Sequence, residues 1–300
     1  MALPGTITAY GQRGQWPAAS LTSTRCERAC GHCMGLLLHS MHPATTPEAL
    51  VAVGRRALAA GAKGMLISGG SDMAGRLPWQ EFLGAISILA SEGLAINAHV
   101  GIVELTTARA LKAAGVHQAL VELVATEAVA RDVLRLAGGL KALKQSLVSC
   151  MEAGLEVVPH IIVGLGEAPG QEQWAIEWLA ELKVQRVVVV GFMPLKHTPM
   201  AAAPPPSPWR IAEVLARARI AMPSAFITLG CARPRGRLRA ATDYLAVMAG
   251  VDAVAIPSEG IHEAAQELGI RPEIFPGCCS AIPFSRKEEE NEPGPGNNHP

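Results

Sequence analysis

Three cysteines stand close together near the start of the chain, Cys26, Cys30 and Cys33, in the spacing C-x3-C-x2-C. Thiolates at this spacing can each bind one iron of a 4Fe-4S cubane, which leaves the fourth iron open to an outside ligand. Zinc is the competing interpretation, because three histidines lie nearby and a zinc site normally takes a fourth ligand at short spacing. These are His32, His39 and His42. The spacing favours an iron-sulfur cluster in a reducing compartment.

The other four cysteines divide into two kinds. Cys150 lies on the apolar stripe of a predicted helix, which is the usual setting of a buried, inert thiol. Cys231 directly follows a predicted strand, and Cys278 and Cys279 are adjacent in a turn-rich segment. We expect these last three to hold a second iron-sulfur cluster, with Ser280, Cys150 or an external group as fourth ligand. The alternative is that they are reactive or incidental thiols.

The elements that must position these residues follow a βα pattern, in which short β-branched runs alternate with longer amphipathic stretches. The predicted strands are 19–24, 64–68, 94–99, 119–124, 157–163, 186–192, 225–229 and 252–257. Thr46 is predicted to cap the first long helix, with Pro47 in its first turn. The pattern predicts an α/β fold, either a closed (β/α)8 barrel or a partial (β/α)6 TIM-type barrel. A doubly wound open sheet is the competing architecture.

We expect one domain over residues 1–285, formed by the barrel and a C-terminal segment that carries the second cluster. Residues 286–300 are charged and rich in Gly and Pro, and are predicted to be a disordered tail. Two loops follow strands at the end of a barrel where sites are built: the proline-rich segment 195–208 and the segment after Cys231. Arg233 and Arg235 in the latter could pair with a carboxylate or phosphate, or be ordinary surface charges.

Composition restricts the class of protein further. The 300 residues are 49% hydrophobic and 17% charged, which excludes long disorder for most of the chain. Lys and Arg together number 26, as do Asp and Glu, so no net field would attract nucleic acid or an acidic membrane. The N-terminus lacks a secretory signal pattern, and no run of 18 apolar residues occurs. We expect a cytoplasmic protein that binds neither nucleic acid nor membrane.

The motif formed by Cys26, Cys30 and Cys33, on the loop directly after the first predicted strand, resembles the cluster-binding motif of the radical S-adenosylmethionine superfamily. The resemblance covers residues 20–194 and implies that the open iron of the 4Fe-4S cluster chelates S-adenosylmethionine. One electron from the cluster, supplied by an electron donor, then cleaves this cofactor to methionine and a 5'-deoxyadenosyl radical. In that family the residue before the third cysteine is usually aromatic and packs near the adenine, and here it is His32.

Two further segments resemble cofactor-binding motifs of the same superfamily. Residues 68–72, with Gly69, Gly70, Ser71 and Asp72, resemble the GGE-type motif whose backbone carbonyls receive the methionyl ammonium, although Asp stands where Glu is more usual. Residues 160–167 resemble the G-x-I-x-G-x-x-E pattern around the adenine. In that pattern His160 replaces the first glycine, whereas Ile162 and Gly164 match. An ordinary βα turn is the alternative for the latter segment.

Three polar residues on predicted strands are further candidates for the site. Glu122 lies within an apolar run, where an unpaired carboxylate would be costly, and we favour the ribose hydroxyls of the cofactor as its partner. Asn97 and His99 share one face of a strand by alternation and are candidate catalytic residues near its carboxyl end. For His99 the alternative is a satisfied buried imidazole.

At the level of subgroup, residues 21–41 resemble the start of the two-component lipoyl synthases. In those enzymes paired paralogues insert sulfur into a protein-bound octanoyl chain, which implies an octanoyl-bearing protein or peptide as substrate and a paralogous partner subunit. Sulfur insertion also requires the second cluster. Two alternatives remain: a radical enzyme of the biotin synthase or hydrogenase-maturation type with another substrate, and a non-catalytic iron-sulfur or zinc protein.

Overall fold

Strands and helices alternate along most of the chain. The computed structural model describes residues 5–11, 16–166 and 168–280, so the predicted tail over 286–300 lies outside the described residues. The strands are β1 (Thr6–Tyr10), β2 (Ala18–Ser20), β3 (His42–Pro43), β4 (Gly64–Ser68), β5 (Ala95–His99), β6 (Val116–Val124), β7 (Glu156–Val163), β8 (Arg186–Gly191), β9 (Phe226–Leu229), β10 (Ala253–Ala255) and β11 (Arg271–Phe275). The α-helices are α1 (Pro47–Ala59), α2 (Trp79–Ser91), α3 (Leu105–Ala113), α4 (Gly139–Glu152), α5 (Gln173–Glu181), α6 (Pro208–Ala221), α7 (Arg237–Met248) and α8 (Gly260–Leu268).

All eleven strands form one parallel sheet in the order β11-β1-β10-β9-β8-β7-β6-β5-β4-β2-β3. The sheet curls into a barrel-like surface with helices outside, which confirms the predicted α/β barrel class. Within the described part of the chain, β3 and β11 are the two ends of the sheet and do not pair with each other. The barrel is therefore an open half-barrel, and the closed eightfold alternative does not apply.

Each of the eight predicted strands is present, but the first is shorter than predicted. It ends at Ser20, because a turn begins there. The Ser20 hydroxyl donates to the Ser23 carbonyl and the Thr22 hydroxyl donates to the Arg25 carbonyl, and these bonds stabilise the turn. Three short strands, β1, β3 and β11, were not predicted, since their pairing depends on distant parts of the chain. Helix α1 begins as predicted, with the Ala49 amide donating to Thr46 Oγ1 at 3.2 Å.

Alternation along the strands produces two apolar layers. The larger layer lies between the sheet and the outer helices, and it includes Cys150 on α4. The smaller layer lies inside the barrel and is formed by side chains such as Tyr10, Leu120, Val158 and Val188. Helices cover the first layer, whereas the second lines the interior in which a barrel of this type builds its site.

The chain returns into the barrel after β11. Cys279 is 6% exposed and packs with the interior layer, and Ser280 is 1% exposed and accepts a hydrogen bond from Asn97 Nδ2 at 2.9 Å. This segment therefore lies inside the barrel, not on its surface. Among the described residues, no helix combines the length and the apolar character that crossing a bilayer requires.

Candidate functional site

The cysteine loop leaves β2 and lies across the carboxyl end of the sheet. The ligand atoms of Cys30, His32 and Cys33 lie within 4.8 Å of one another. Cys30 Sγ is 3.2 Å from the carbonyl oxygen of Leu134. A hydrogen bond between the thiols of Cys30 and Cys33 lowers the pKa of Cys33 and raises the pKa of Cys30. The two sulfur atoms thus share one proton, and a metal could take the place of that proton. His39 and His42, the other candidate zinc ligands, are exposed and outside this group.

The backbone of this loop bends sharply, and all three of its cysteines line one cavity. Cys26 lies outside the tighter group formed by Cys30, His32 and Cys33. Ser23, Ala29 and Met34 adopt positive φ angles of 54°, 42° and 49°. Each non-glycine residue in this region costs about 1 kcal/mol or more. Such strain is typical of functional loops, and here it directs Cys26, Cys30 and Cys33 toward one cavity.

Gly70 allows the turn after β4 to approach the cysteine loop. A Cβ at this position would lie 1.9 Å from the carbonyl oxygen of Arg25 and 2.6 Å from Cα of Cys26. The Gly70 amide donates to Thr22 Oγ1 at 2.7 Å, and the Glu27 amide donates to the Ser71 carbonyl at 2.9 Å. The two segments thus hold each other through backbone contacts that leave no room for a side chain.

We expect Gly70→Ala to release most of the iron bound at the cysteine loop, because the methyl group would push Cys26 away. The overpacking should also cost roughly 1–3 kcal/mol of unfolding free energy. Iron analysis after anaerobic reconstitution, together with thermal melts, measures both effects. Gly84→Ala on α2 is the matched control, since no atom lies within 4 Å of its Cβ position and the helix should gain about 0.5–1 kcal/mol. Full iron content in Gly70→Ala would contradict this interpretation.

A cavity of about 200 Å³ lies beside the cysteines. It is lined by the cysteine loop, the turn after β4, and β5 and β6, including Cys26, Cys30, Cys33, His32, Gly69, Gly70, Ser71, His99 and Glu122. Three buried polar atoms around it, Arg28 Nε, His32 Nδ1 and Ser71 Oγ, have no hydrogen-bond partner among the described residues. Unpaired buried polar atoms are costly, so they indicate a polar ligand. Three thiols beside these atoms fit a 4Fe-4S cluster with a polar cofactor.

Asp72 and the end of β7, which the sequence also placed at the cofactor, do not line the cavity beside the cysteines. The Asp72 carboxylate accepts hydrogen bonds from the amides of Ala74 and Arg76 and from Arg76 Nε, so it closes its own turn and lines a neighbouring surface cavity. Gly164 has a φ of 92° at the end of β7, where a Cβ would lie 2.7 Å from Pro206 Cδ. Ile162 lines a second cavity inside the barrel. Glu167 of the same motif lies outside the described residues.

Glu122 stands on the inner face of β6, between the first and second cavities. Desolvation would raise its pKa, but the charges of His99, Arg28 and two other histidines outweigh this effect and hold it below its usual range. Burial lowers the pKa of His99 and of His32, so both imidazoles are mostly neutral near pH 7. Arg28 is therefore the lasting positive charge near the Glu122 carboxylate. The carboxylate is ionised and available to accept hydrogen bonds.

We expect Glu122→Ala to weaken S-adenosylmethionine binding by roughly 1.5–3 kcal/mol, the scale of a hydrogen bond to a charged group. This corresponds to about ten- to a hundredfold in affinity. Glu122→Gln keeps an acceptor and the side-chain volume, so it should bind more tightly than the alanine variant. Calorimetric titration beside melting temperatures measures the effect. An unchanged affinity in a well-folded Glu122→Ala protein would remove Glu122 from the site.

The three C-terminal cysteines meet at the same end of the barrel. Cys278 and Cys279 have their sulfur atoms 3.8 Å apart, and the Cys279 thiol also hydrogen-bonds with Cys231, which is exposed at the rim. These bonds to Cys279 lower the pKa of Cys231 and lower that of Cys278 to about 6, while the pKa of Cys279 is raised. The protonated Cys279 thiol thus favours the thiolate form of its two neighbours, which is the form that ligates metals. Ser280 Oγ lies 3.6 Å from Cys278 Sγ.

The structure decides between the alternatives left open for Arg233 and for Cys150, whose expected burial is confirmed. Arg233 is fully buried and forms an ion pair with Asp243, with Nε 2.6 Å from Oδ1. Its other nitrogens donate to the carbonyls of Gly230, Ala255 and Ile256, so it is not available to a ligand and instead fixes the loop that carries Cys231. Cys150 lies in the outer core, where burial raises its pKa to about 12. It is therefore not a fourth ligand of the C-terminal thiols.

The second cavity, of about 120 Å³, is almost entirely apolar. His32 and Glu122 of the first site line one side of it, and Ala232, which follows Cys231 in the sequence, lines the other. Its lining residues are His32, Leu37, Glu122, His160, Ile162, Leu165, Val190, Gly191, Phe192, Met193, Leu195 and Ala232. Sequence reasoning did not identify this cavity, because its walls come from strands and loops that are far apart in the chain. Arg28 was also missed, although its place between Cys26 and Cys30 was a signal.

Similarity to known proteins is consistent with this geometry. No protein-family model matches the chain. A biotin synthase of Desulforudis audaxviator (strain MP104C) is 30% identical over 240 residues, which cover 77% of this chain and 71% of the relative.

Two solved structures share the fold. The FeFe-hydrogenase maturase HydG superposes with a TM-score of 0.63 at 15% identity, over 90% of this chain and 64% of that protein. The chain thus spans less than two thirds of the maturase. Methylornithine synthase (PylB) superposes with a TM-score of 0.61 at 16% identity, over 89% of this chain and 83% of that protein. At these identities the structures support the architecture alone.

Proposed function

The chain belongs to the radical S-adenosylmethionine enzymes related to biotin synthase, and on that premise we propose that it inserts sulfur into a protein-bound octanoyl chain, as lipoyl synthases do. When bound, S-adenosylmethionine and its 4Fe-4S cluster supply a 5'-deoxyadenosyl radical that removes hydrogen from an unactivated C–H bond, and a second cluster supplies the sulfur. The residues of this chain bind these groups, orient the substrate and exclude water.

Each part of the first cavity has a role in this proposal. Cys26, Cys30 and Cys33 hold the first cluster, and the backbone of the turn at Gly69 and Gly70 receives the amino group of the cofactor. His32 provides a planar surface for the adenine. Glu122 accepts hydrogen bonds from the ribose, Arg28 balances its charge, and Ser71 supplies an unpaired hydroxyl. His99 and Asn97 face the barrel interior, where His99 lines the cavity and Asn97 holds Ser280.

The observation that carries sulfur insertion is the position of Cys278 and Cys279 inside the barrel, with Cys231 at its rim. Cys279 is packed in the interior layer with Leu120 and Val158, and Cys231 adjoins Ala232 in the wall of the apolar cavity. That cavity also contacts His32 and Glu122 of the first site. A substrate carbon in it would lie between the radical source and the proposed sulfur source.

An octanoyl chain suits the apolar cavity. Its walls are aliphatic apart from Phe192 and three polar residues, and aromatic residues are only 4% of the chain. A dry aliphatic site also protects a primary radical from stray hydrogen donors. An octanoyl-bearing protein or peptide, a paralogous subunit and an electron donor complete the proposed system.

A second candidate function is a radical reaction of the biotin synthase or hydrogenase-maturation type on another substrate. The 30% identity to a biotin synthase favours it. In that case the C-terminal thiols would be dispensable. A non-catalytic iron-sulfur or zinc protein is the third alternative, and zinc in place of iron after purification would support it.

Mass spectrometry of products tests the proposal. The reconstituted protein is incubated anaerobically with S-adenosylmethionine, a reductant and an octanoyl-bearing peptide. We expect 5'-deoxyadenosine together with peptide heavier by sulfur. Formation of 5'-deoxyadenosine without any thiolated peptide, from protein that holds about four irons per chain, would favour the second candidate function.

A further inference from the structure

His160 on β7 faces the C-terminal thiols, although the cofactor-binding motif places it near the adenine. Its side chain is inside the barrel and 5% exposed. Nε2 lies 4.0 Å from Cys279 Sγ, and Cys279 Sγ lies 3.8 Å from Cys278 Sγ. The imidazole and the thiols of Cys278 and Cys279 therefore lie together in the barrel interior, and Cys231, which hydrogen-bonds with Cys279, lies at the rim.

The hydrogen bond on the opposite side of the ring determines which nitrogen is free. Nδ1 of His160 lies 2.9 Å from the carbonyl oxygen of Val158. A carbonyl oxygen only accepts, so Nδ1 carries the hydrogen and Nε2 has an available lone pair. A backbone carbonyl that fixes the tautomer in this way is typical of metal-ligating histidines. The lone pair is directed toward Cys279.

We propose that His160 Nε2 is the fourth protein ligand of the metal centre at Cys231, Cys278 and Cys279, an inference that rests on the second cluster of the proposed function. Three thiolates and one imidazole form a donor set suited to iron in a cluster. His160 also lines the apolar cavity, so this ligand would place the second centre directly beside that cavity. The centre is thus joined to β7 as well as to the C-terminal segment.

The other groups near the thiols are less suited to this role. Ser280 Oγ accepts from Asn97 Nδ2 at 2.9 Å and lies 3.6 Å from Cys278 Sγ, so it is committed to positioning the segment. The His99 ring is 5.3 Å from that of His160, measured between centroids, and lines the cavity of the first centre. Cys150 lies in the outer core.

Pulsed electron paramagnetic resonance of the reduced second cluster tests the proposal. The full chain with Cys26→Ala, Cys30→Ala and Cys33→Ala lacks the first cluster, so the remaining signal belongs to the second. After anaerobic reconstitution with iron and sulfide, we expect about four irons per chain. We also expect hyperfine coupling from a directly bound nitrogen, which changes when the histidines carry ¹⁵N.

Two histidine variants in this background identify the ligand. His160→Asn should lose the coupling, while its amide can still donate to Val158 and preserve the local structure. His99→Asn, a substitution of the neighbouring imidazole, should keep the coupling. A cluster without nitrogen coupling, or one whose coupling persists in His160→Asn, would overturn the role of His160 and leave sulfur insertion standing.

Absence of any iron in the triple variant would overturn both the second cluster and this inference, provided that its melting temperature shows it to be folded. The protein with all its cysteines gives an independent measurement if the triple variant does not fold. There the nitrogen coupling should be present without S-adenosylmethionine and disappear in His160→Asn. Its absence from that spectrum would overturn the inference.

Discussion

We expect replacement of any one of Cys26, Cys30 and Cys33 with alanine to abolish reductive cleavage of S-adenosylmethionine, measured as 5'-deoxyadenosine by chromatography. The reason is that each variant removes one of only three thiolates, and the open fourth position is needed for the cofactor. Their sulfur atoms line one cavity, and the strained loop offers no nearby cysteine as a replacement. Iron at this centre should be lost or unstable in each variant.

Cys150→Ala is the matched control for this result. Its thiol is as buried as that of Cys30, but it lies in the outer core between α4 and the sheet. We expect a loss of about 1 kcal/mol in unfolding free energy and unchanged iron and 5'-deoxyadenosine. Normal 5'-deoxyadenosine from any of the three loop variants would refute the assignment of the cluster to this loop.

Removal of the C-terminal thiols should separate radical formation from sulfur transfer. We expect Cys231→Ala, Cys278→Ala and Cys279→Ala each to produce 5'-deoxyadenosine but no thiolated octanoyl peptide. Roughly half of the iron should be lost, as expected when one of two cubanes is missing. The physical reason is that these thiols lie apart from the first cysteine loop, beside the apolar cavity.

Iron analysis and mass spectrometry of the same preparations give the two readouts. Cys150→Ala again serves as the control, because it changes a thiol without altering the barrel interior. Variants with full iron content and normal thiolated product would show that the C-terminal thiols are incidental. That outcome would overturn the proposed second cluster at these thiols and would also remove the basis for a ligand at His160.

Much of the architecture could be predicted from local signals. Helix α1 begins where Thr46 and Pro47 indicate, because a cap and a fixed φ act within one turn. The eight predicted strands are present because β-branched runs between turn residues are local features. The first cluster site was also predictable, since its three cysteines lie within one loop and their spacing alone limits the ligand they can share.

Contacts between distant segments could not be predicted in this way. Gly70 was predicted to lie in a cofactor-binding turn, but its close contact with Arg25 and Cys26 depends on how two loops cross. Arg233 was expected either to pair with a ligand or to be an ordinary surface charge. It is instead buried against Asp243, because α7 packs over the loop that follows β9. The length of β2 was overestimated, since the turn into the cysteine loop begins immediately after Ser20.

The sequence by itself determined the parallel βα order and the chemistry of the first cysteine loop, because both depend on neighbours within a few residues. Only the tertiary structure decided that the sheet stays open and that the chain beyond β11 enters the barrel. It also decided that His160 faces Cys279. Strand periodicity places a side chain on one face of the sheet, but which side chains meet across the interior depends on curvature and register, and these arise only when all strands pack together.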